Sequence, residues 1–366
     1  MGQSRYGNTN INNENLRNSP ENGAESSSFS ATTISGGTFY GDGSNLTGIQ
    51  SYWTSGSSGN FSIKTINDSG LDATGDYAHA EGWGNIASGP ASHAEGGYPG
   101  KGYFNIASGI GSHSEGIRTS ATTDSSHAEG GFTLASGQSS HAEGGATIAS
   151  GQFSHSEGFS NIASGDASHA EGGFPGIGYL NTASGEGSHA EGGNTVASGG
   201  TSHAEGFFTV AGGNTSHAEG NNTKAIGGSS HAEGNVTITS GISSHAEGFD
   251  TQAIGDYSHA EGGGTVASGQ QSHAGGNNSI ASGLTSFIHS TDSLVTGDRS
   301  VVLGGQNITG STSDMVYIPN LNIVNIISAN DDSDAALSGL TTGDVYQTSG
   351  LGGSPLNVAG ILMIKQ

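Results

Sequence analysis

The chain has 366 residues, 67 of them glycine, none cysteine and only 11% charged, with 32 acidic against 8 basic side chains. A net charge of −24 argues against nucleic acid and against docking on anionic membranes through a basic patch. Without cysteine there is no disulfide or thiolate chemistry, and so few large apolar residues allow only a thin, repetitive core.

Residues 1–30 are rich in Asn, Ser and Glu and lack periodicity, so they read as a disordered or attachment arm. No apolar stretch of the signal-peptide kind follows "MGQSRYGNTN", and no apolar run is long enough to span a bilayer. The expectation is synthesis in the cytoplasm without a signal peptide, and no membrane insertion. Residues 31–70 read as a small β connector.

From residue 71 the chain repeats itself. Histidines stand at 79, 93, 113, 127, 141, 155, 169, 189, 203, 217, 231, 245, 259 and 273, at intervals of 14 interrupted by two of 20. The unit S-H-A-E-G-x-x-T-x-A-S-G-x-x divides into two sevens of the form [S/T]-x-A-x-G-x-x, each a short alternating segment closed by Gly. Segments this short cannot nucleate a helix, and glycine supplies the positive φ of a tight turn. Two short strands and two turns per unit predict one coil of a parallel β-solenoid, a β-roll shaft over 71–310 in an all-β chain. Because strand side chains alternate faces, Ser, Ala and Thr point inward. His and Glu then face outward on one sheet, and an aliphatic residue followed by Ser (Ile148, Ser150) on the other. Where the aliphatic slot turns polar, the next outward slot compensates, as in Lys224 with Ile226 and Gln252 with Ile254. Counting on from His273 puts Phe287 and Val301 in histidine slots, and Gly275, His289 and Leu303 in glutamate slots. The sixteen strands of the first type, residues 79 to 301, would stack to roughly 75 Å. Residues 311–366 carry "MVYIPNLNIVNII" and "LNVAGILMI", enough for a C-terminal β cap.

The His-x-Glu spacing offers zinc-type ligands, but a metal site occurs once or twice, not in every coil, so no metal and no cofactor is expected. The column reads instead as a structural ladder, exemplified by His141 with Glu143, His155 with Glu157, His203 with Glu205, His217 with Glu219 and His231 with Glu233. A His beside a partly buried Glu would be favoured as imidazolium, but stacking such pairs places like charges in a column, so some histidines should stay neutral. Serines next to histidines recur in every coil, which argues against any catalytic pair; no catalytic residue and no enzyme is expected. Outward Thr rows and the calcium-binding nonapeptide are also missing. The two long intervals insert six residues each, bringing loops 97–104 and 173–180. Solenoid insertions map to surface loops, so Tyr98, Lys101, Tyr103, Phe104, Phe174, Ile177 and Tyr179 are candidates for binding sugar or protein. Phe159, Phe207 and Phe249 read as corner packing.

"SVVLGG" and the "AxGxxSxAxG" rhythm resemble the head repeats of trimeric autotransporter adhesins, over about 71–310. The resemblance implies a left-handed parallel β-roll with 14-residue coils, packed as a homotrimer around a threefold axis. The pattern departs where His and Glu replace Val and Ile, and the adhesins' membrane anchor has no counterpart in "ILMIKQ". "ATTISGGTFYGDGSNLTGI", "MVYIPNLNI" and "TTGDVYQTSG" are similar to segments of bacteriophage tail-fibre and other virion fibre proteins, in which S-H-A-E-G repeats form shafts. That second resemblance implies a structural fibre of a phage particle involved in host attachment, joined to other virion proteins through its N-terminal region. The alternatives are a glycan-binding receptor module acting through the aromatic loops, and a capsid or tail decoration protein with no receptor role.

Overall fold

The computed structural model describes residues 53–65, 71–174 and 178–319, with short pieces at 321, 328–329, 335, 338, 341, 345–349 and 362–364. The expected arm at 1–30 and most of the connector at 31–70 lie outside the described residues.

The chain winds as a parallel β-solenoid of 14-residue coils, and its strands fall alternately into two sheets. The first, nineteen-stranded sheet opens with Trp53–Ser55 antiparallel to Ile63–Thr65, after which every strand is parallel to the next. His127–Gly131 lies on His113–Ile117 with like residues in register, His on His and Glu on Glu. The second sheet is built of two-residue strands such as Leu134–Ala135, between Ser120–Ala121 and Ile148–Ala149. Asp72–Ala73, in "LDATG" at 71–75, opens it. Phe287 pairs with His273 and Val301 with Phe287, so both occupy histidine slots. His289 pairs with Gly275, in the glutamate slot. Val316–Tyr317 adds one further strand beyond a register shift between His289 and Thr291. Separately, Val345–Thr348 pairs with Ser328–Ala329 and Leu362–Ile364 in a three-stranded sheet.

The inside of the coil is two columns of alanine with Ser or Thr beside them. Ala128, Ala135, Ala142 and Ala149 are wholly buried, as are Thr147, Thr195 and Thr209. Near the C-terminal end the core thickens, where Ile288, Val295 and Val302 take alanine slots. At about 0.8 kcal/mol for each buried methyl, two alanines per coil contribute little. The hydrogen-bond ladder must therefore carry much of the order. Strand N–H groups donate forward, His203 to Ser216 O at 2.9 Å, while the corner residue Thr215 donates backward to Gly200 O at 2.8 Å.

That reversal corrects the expectation about glycine. The turn after most aliphatic strands takes its positive φ from an ordinary residue, such as Ser139, Phe153 or Ser243 (φ 53–57°), and from glycine at Gly111 and Gly187. The glycine there is required for another reason: a Cβ on Gly137 or Gly151 would collide with the carbonyl oxygen of the equivalent glycine one coil on. On the His side both demands meet in one residue. Gly130 and Gly234 have φ of +97° and +108°, and a Cβ on either would strike the glycine stacked above. Acidic residues outside the ladder serve the turns. Asp124, Asp166, Asp256 and Asp298 each accept the corner N–H of the preceding coil at 2.9 Å.

Candidate functional site

In-register parallel pairing places one histidine above another, and the rings respond by stacking. From His79 to His259 consecutive imidazoles lie 4.6–4.9 Å apart with planes within 6° of parallel. Trp53 lies against the first ring at 4.7 Å, and Phe287 stacks on His273 at 4.6 Å. These rings remain about one-third exposed, yet the Nε2 atoms of His127, His141, His155 and His203 are shielded from water.

The ladder pairs differ from the expected ones. Glu205 approaches His217 of the next coil at 3.2 Å, Glu157 approaches His169 at 3.3 Å, and Glu219 approaches His231 at 3.3 Å. Within one strand the contact is longer, 3.9 Å for His141 with Glu143, which also reaches His155 at 3.8 Å. His203 meets Glu191 at 3.8 Å. Strand neighbours two apart on one face are separated by about 6.6 Å of backbone, whereas adjacent strands are about 4.8 Å apart, so the nearer partner lies across the strands.

Six histidines of the column, His93, His127, His189, His203, His231 and His273, are shifted against the charged form. Burial, and then the charge of the ring above or below, pushes His127, His203 and His231 below the ordinary histidine value, and the glutamates only partly oppose this. The carboxyls act mainly on one another. Hydrogen bonding to neighbouring glutamates raises Glu129 (Glu143 first) and Glu171 (Glu191 first), each to about 7. The same bonding lowers their neighbours Glu143 and Glu191. From Glu95 to Glu143 and again from Glu171 to Glu247, raised and lowered carboxyls alternate, as expected of like charges in single file. An open groove runs beside Glu95, Glu115, Glu129 and Glu143, floored by their glycines.

The two insertions form small hairpin-like loops on one corner of the roll. Tyr98 N–H donates to Tyr103 O at 2.9 Å and Phe174 N–H to Tyr179 O at 3.3 Å. Tyr103 meets the edge of Phe132 at 5.5 Å, with the Arg118 guanidinium over both rings. Tyr179 meets Phe207 at 5.1 Å and Phe208 at 5.6 Å. Tyr103 and Tyr179 are therefore anchors, while Tyr98 (49%), Phe104 (41%) and Phe174 (56%) are exposed, as is Lys101. Ile177 lies outside the described residues. Of the corner phenylalanines, Phe159 and Phe207 pack as expected, but Phe249 is 61% exposed.

Sequence reasoning missed the residues that seat these loops. Asn85, Asn105, Asn161 and Asn181 replace Thr on either side of the insertions and are fully buried. Asn105 donates to Gly116 O at 2.8 Å and accepts from Thr119 N–H at 2.9 Å, and Asn181 bonds likewise to Gly192 O and Thr195. The signal was the change from T-x-A-S-G to N-x-A-S-G at these coils.

What fold and surfaces define together is a repeat protein, a β-roll with one outward face of stacked imidazoles and carboxyls. No protein-family model matches the chain, and no curated protein matches it as a relative. No helix among the described residues is long and apolar enough to cross a membrane.

Proposed function

We propose that this chain is a structural shaft of a phage-particle fibre, a homotrimer with no catalytic role that holds its tip toward the host surface. The observation that carries the reading is the histidine column. It is uninterrupted for fourteen coils from His79 to His273, and it then exchanges imidazole for Phe287, Val301 and Val316. A slot that accepts a stacked neutral imidazole or a large apolar group equally suits a face removed from bulk water, here against two further copies of the chain. The opposite sheet interrupts its aliphatic column with exposed Lys224 and with Gln252, as a solvent-facing surface tolerates. The fibre assignment itself rests on the resemblance of the flanking segments to virion fibre proteins, with the N-terminal region as the joint to other virion proteins. Antibodies raised against the solenoid should decorate fibres projecting from intact particles. Labelling confined to a smooth capsid surface would favour a decoration protein, and no labelling would refute a virion role.

The exposed loop aromatics favour a second reading, contact with a host glycan or protein. Tyr98→Ser with Phe174→Ser should then reduce attachment to host cells at least tenfold with little change in melting temperature. Tyr103→Ser and Tyr179→Ser should also lower stability, because those rings pack on Phe132 and Phe207. Unchanged attachment in the first pair would remove the receptor role.

A further inference from the structure

The ladder breaks its own rule at one place. Gly275 stands where other coils carry Glu, and in the next coil His289 occupies that slot. A Cβ on Gly275 would lie 2.6 Å from His289 Nδ1 and 3.0 Å from Glu261 Oε1, so the missing side chain is what lets His289 reach back over a whole coil. As a result Glu261 Oε1 lies 3.2 Å from His273 Nε2 and 3.6 Å from His289 Nδ1. The His273 ring is also turned 77° from His259, whereas every earlier pair is parallel. This distinction matters for chemistry. Triads such as His127, Glu129 and His141 bring ligand atoms within 4.8 Å of one another. Their rings lie in parallel, stacked planes, so the nitrogen lone pairs of neighbours point the same way and cannot converge on one ion. At Glu261, by contrast, an imidazole from the histidine slot and one from the glutamate slot each turn a nitrogen toward the same carboxylate oxygen.

We propose that Glu261, His273 and His289 form a site for one divalent transition ion of the zinc class, with two imidazoles, one carboxylate and a remaining position for water. Ligands about 2.0–2.1 Å from a tetrahedral zinc lie about 3.3–3.5 Å apart, close to the 3.2 and 3.6 Å that separate Glu261 Oε1 from the two nitrogens. The nitrogen-rich donor set disfavours calcium and magnesium, which take oxygen ligands. In a single chain His289 is 57% exposed. The site does not depend on the fibre reading, and it differs from the rest of the ladder in ligand identity and ring orientation.

Calorimetric titration of the full chain with zinc chloride, and separately with calcium chloride, tests it. The expected result is one zinc per chain, no calcium binding, and at least a tenfold loss of zinc affinity in both His289→Ala and Gly275→Glu. The exposed position of His289 makes its variant the safer of the two, with circular dichroism confirming the fold. Either no saturable zinc binding, or several zinc ions per chain unaffected by His289→Ala, would overturn the proposal.

Discussion

Gly234→Ala is expected to destabilise the solenoid by about 3–5 kcal/mol, the sum of a strained left-handed residue and an overpacked contact. At φ +108° an L-residue is strained wherever there is space, and here the new Cβ also meets the carbonyl of Gly248. The clash is with backbone, not with the end of a side chain, so it can be relieved only by separating two coils and stretching their hydrogen bonds. Gly228 provides the control a few residues earlier. Its Cβ would find nothing nearer than Asn214 O at 3.9 Å, and its φ lies outside the left-handed range. Gly228→Ala should be neutral or stabilise by up to about 1 kcal/mol through the unfolded state. Thermal melts of the two variants beside the parent check both, and equal melting would show that the glycine column does not set the coil spacing.

The second large effect is a stability maximum on the acid side of neutrality. Histidines held below their ordinary value by burial and by stacked neighbours, such as His127 and His203, contribute stability that is present above 6.5 and lost as pH falls through their lowered values. Glu143 and Glu191, lowered by bonding to adjacent glutamates, add to the loss in stronger acid. Glu95, Glu129 and Glu171 work in the opposite sense. Raised to about 7, they contribute stability that is full below 4.5 and lost as pH rises through about 7. The melting temperature should therefore peak between the lowered histidine values and about 7, and fall on both sides. Glu129→Gln with Glu171→Gln keeps a hydrogen-bond donor at all pH and should flatten the alkaline fall. A flat profile in the parent would mean that the carboxyls do not act on one another.

The β-roll was legible because its signal was redundant. Fourteen-residue spacing, small residues in one phase and glycine at each turn all pointed to one coil, and the register carried through to Phe287 and Val301 without histidine to mark it. The chemistry of the ladder was not legible in the same way. S-H-A-E puts His and Glu side by side in the sequence, but the short distance in a sheet runs between strands, so the working pairs are Glu205 with His217 and Glu157 with His169. Stacking of imidazoles, and the action of the carboxyls on one another, follow from register between coils and from no single coil. The left-handed corners were hidden for another reason: Phe153 (φ 57°) and Val236 (φ 62°) carry no sequence mark of positive φ, because the demand comes from the N–H that must turn back to the preceding coil. The buried asparagines were visible only as a one-letter change beside each insertion, and their meaning depended on knowing which way that slot faces.

The assembly is the central claim, since a roll filled with alanine leaves a half-covered column of imidazole and carboxyl on its surface. Sedimentation equilibrium of the full chain at micromolar concentration tests it most directly. The account predicts a single species with the mass of three 36.2 kDa chains, which keeps its β signature on dilution until it dissociates and unfolds together. A folded species with the mass of one chain, stable across the same concentrations, would contradict it.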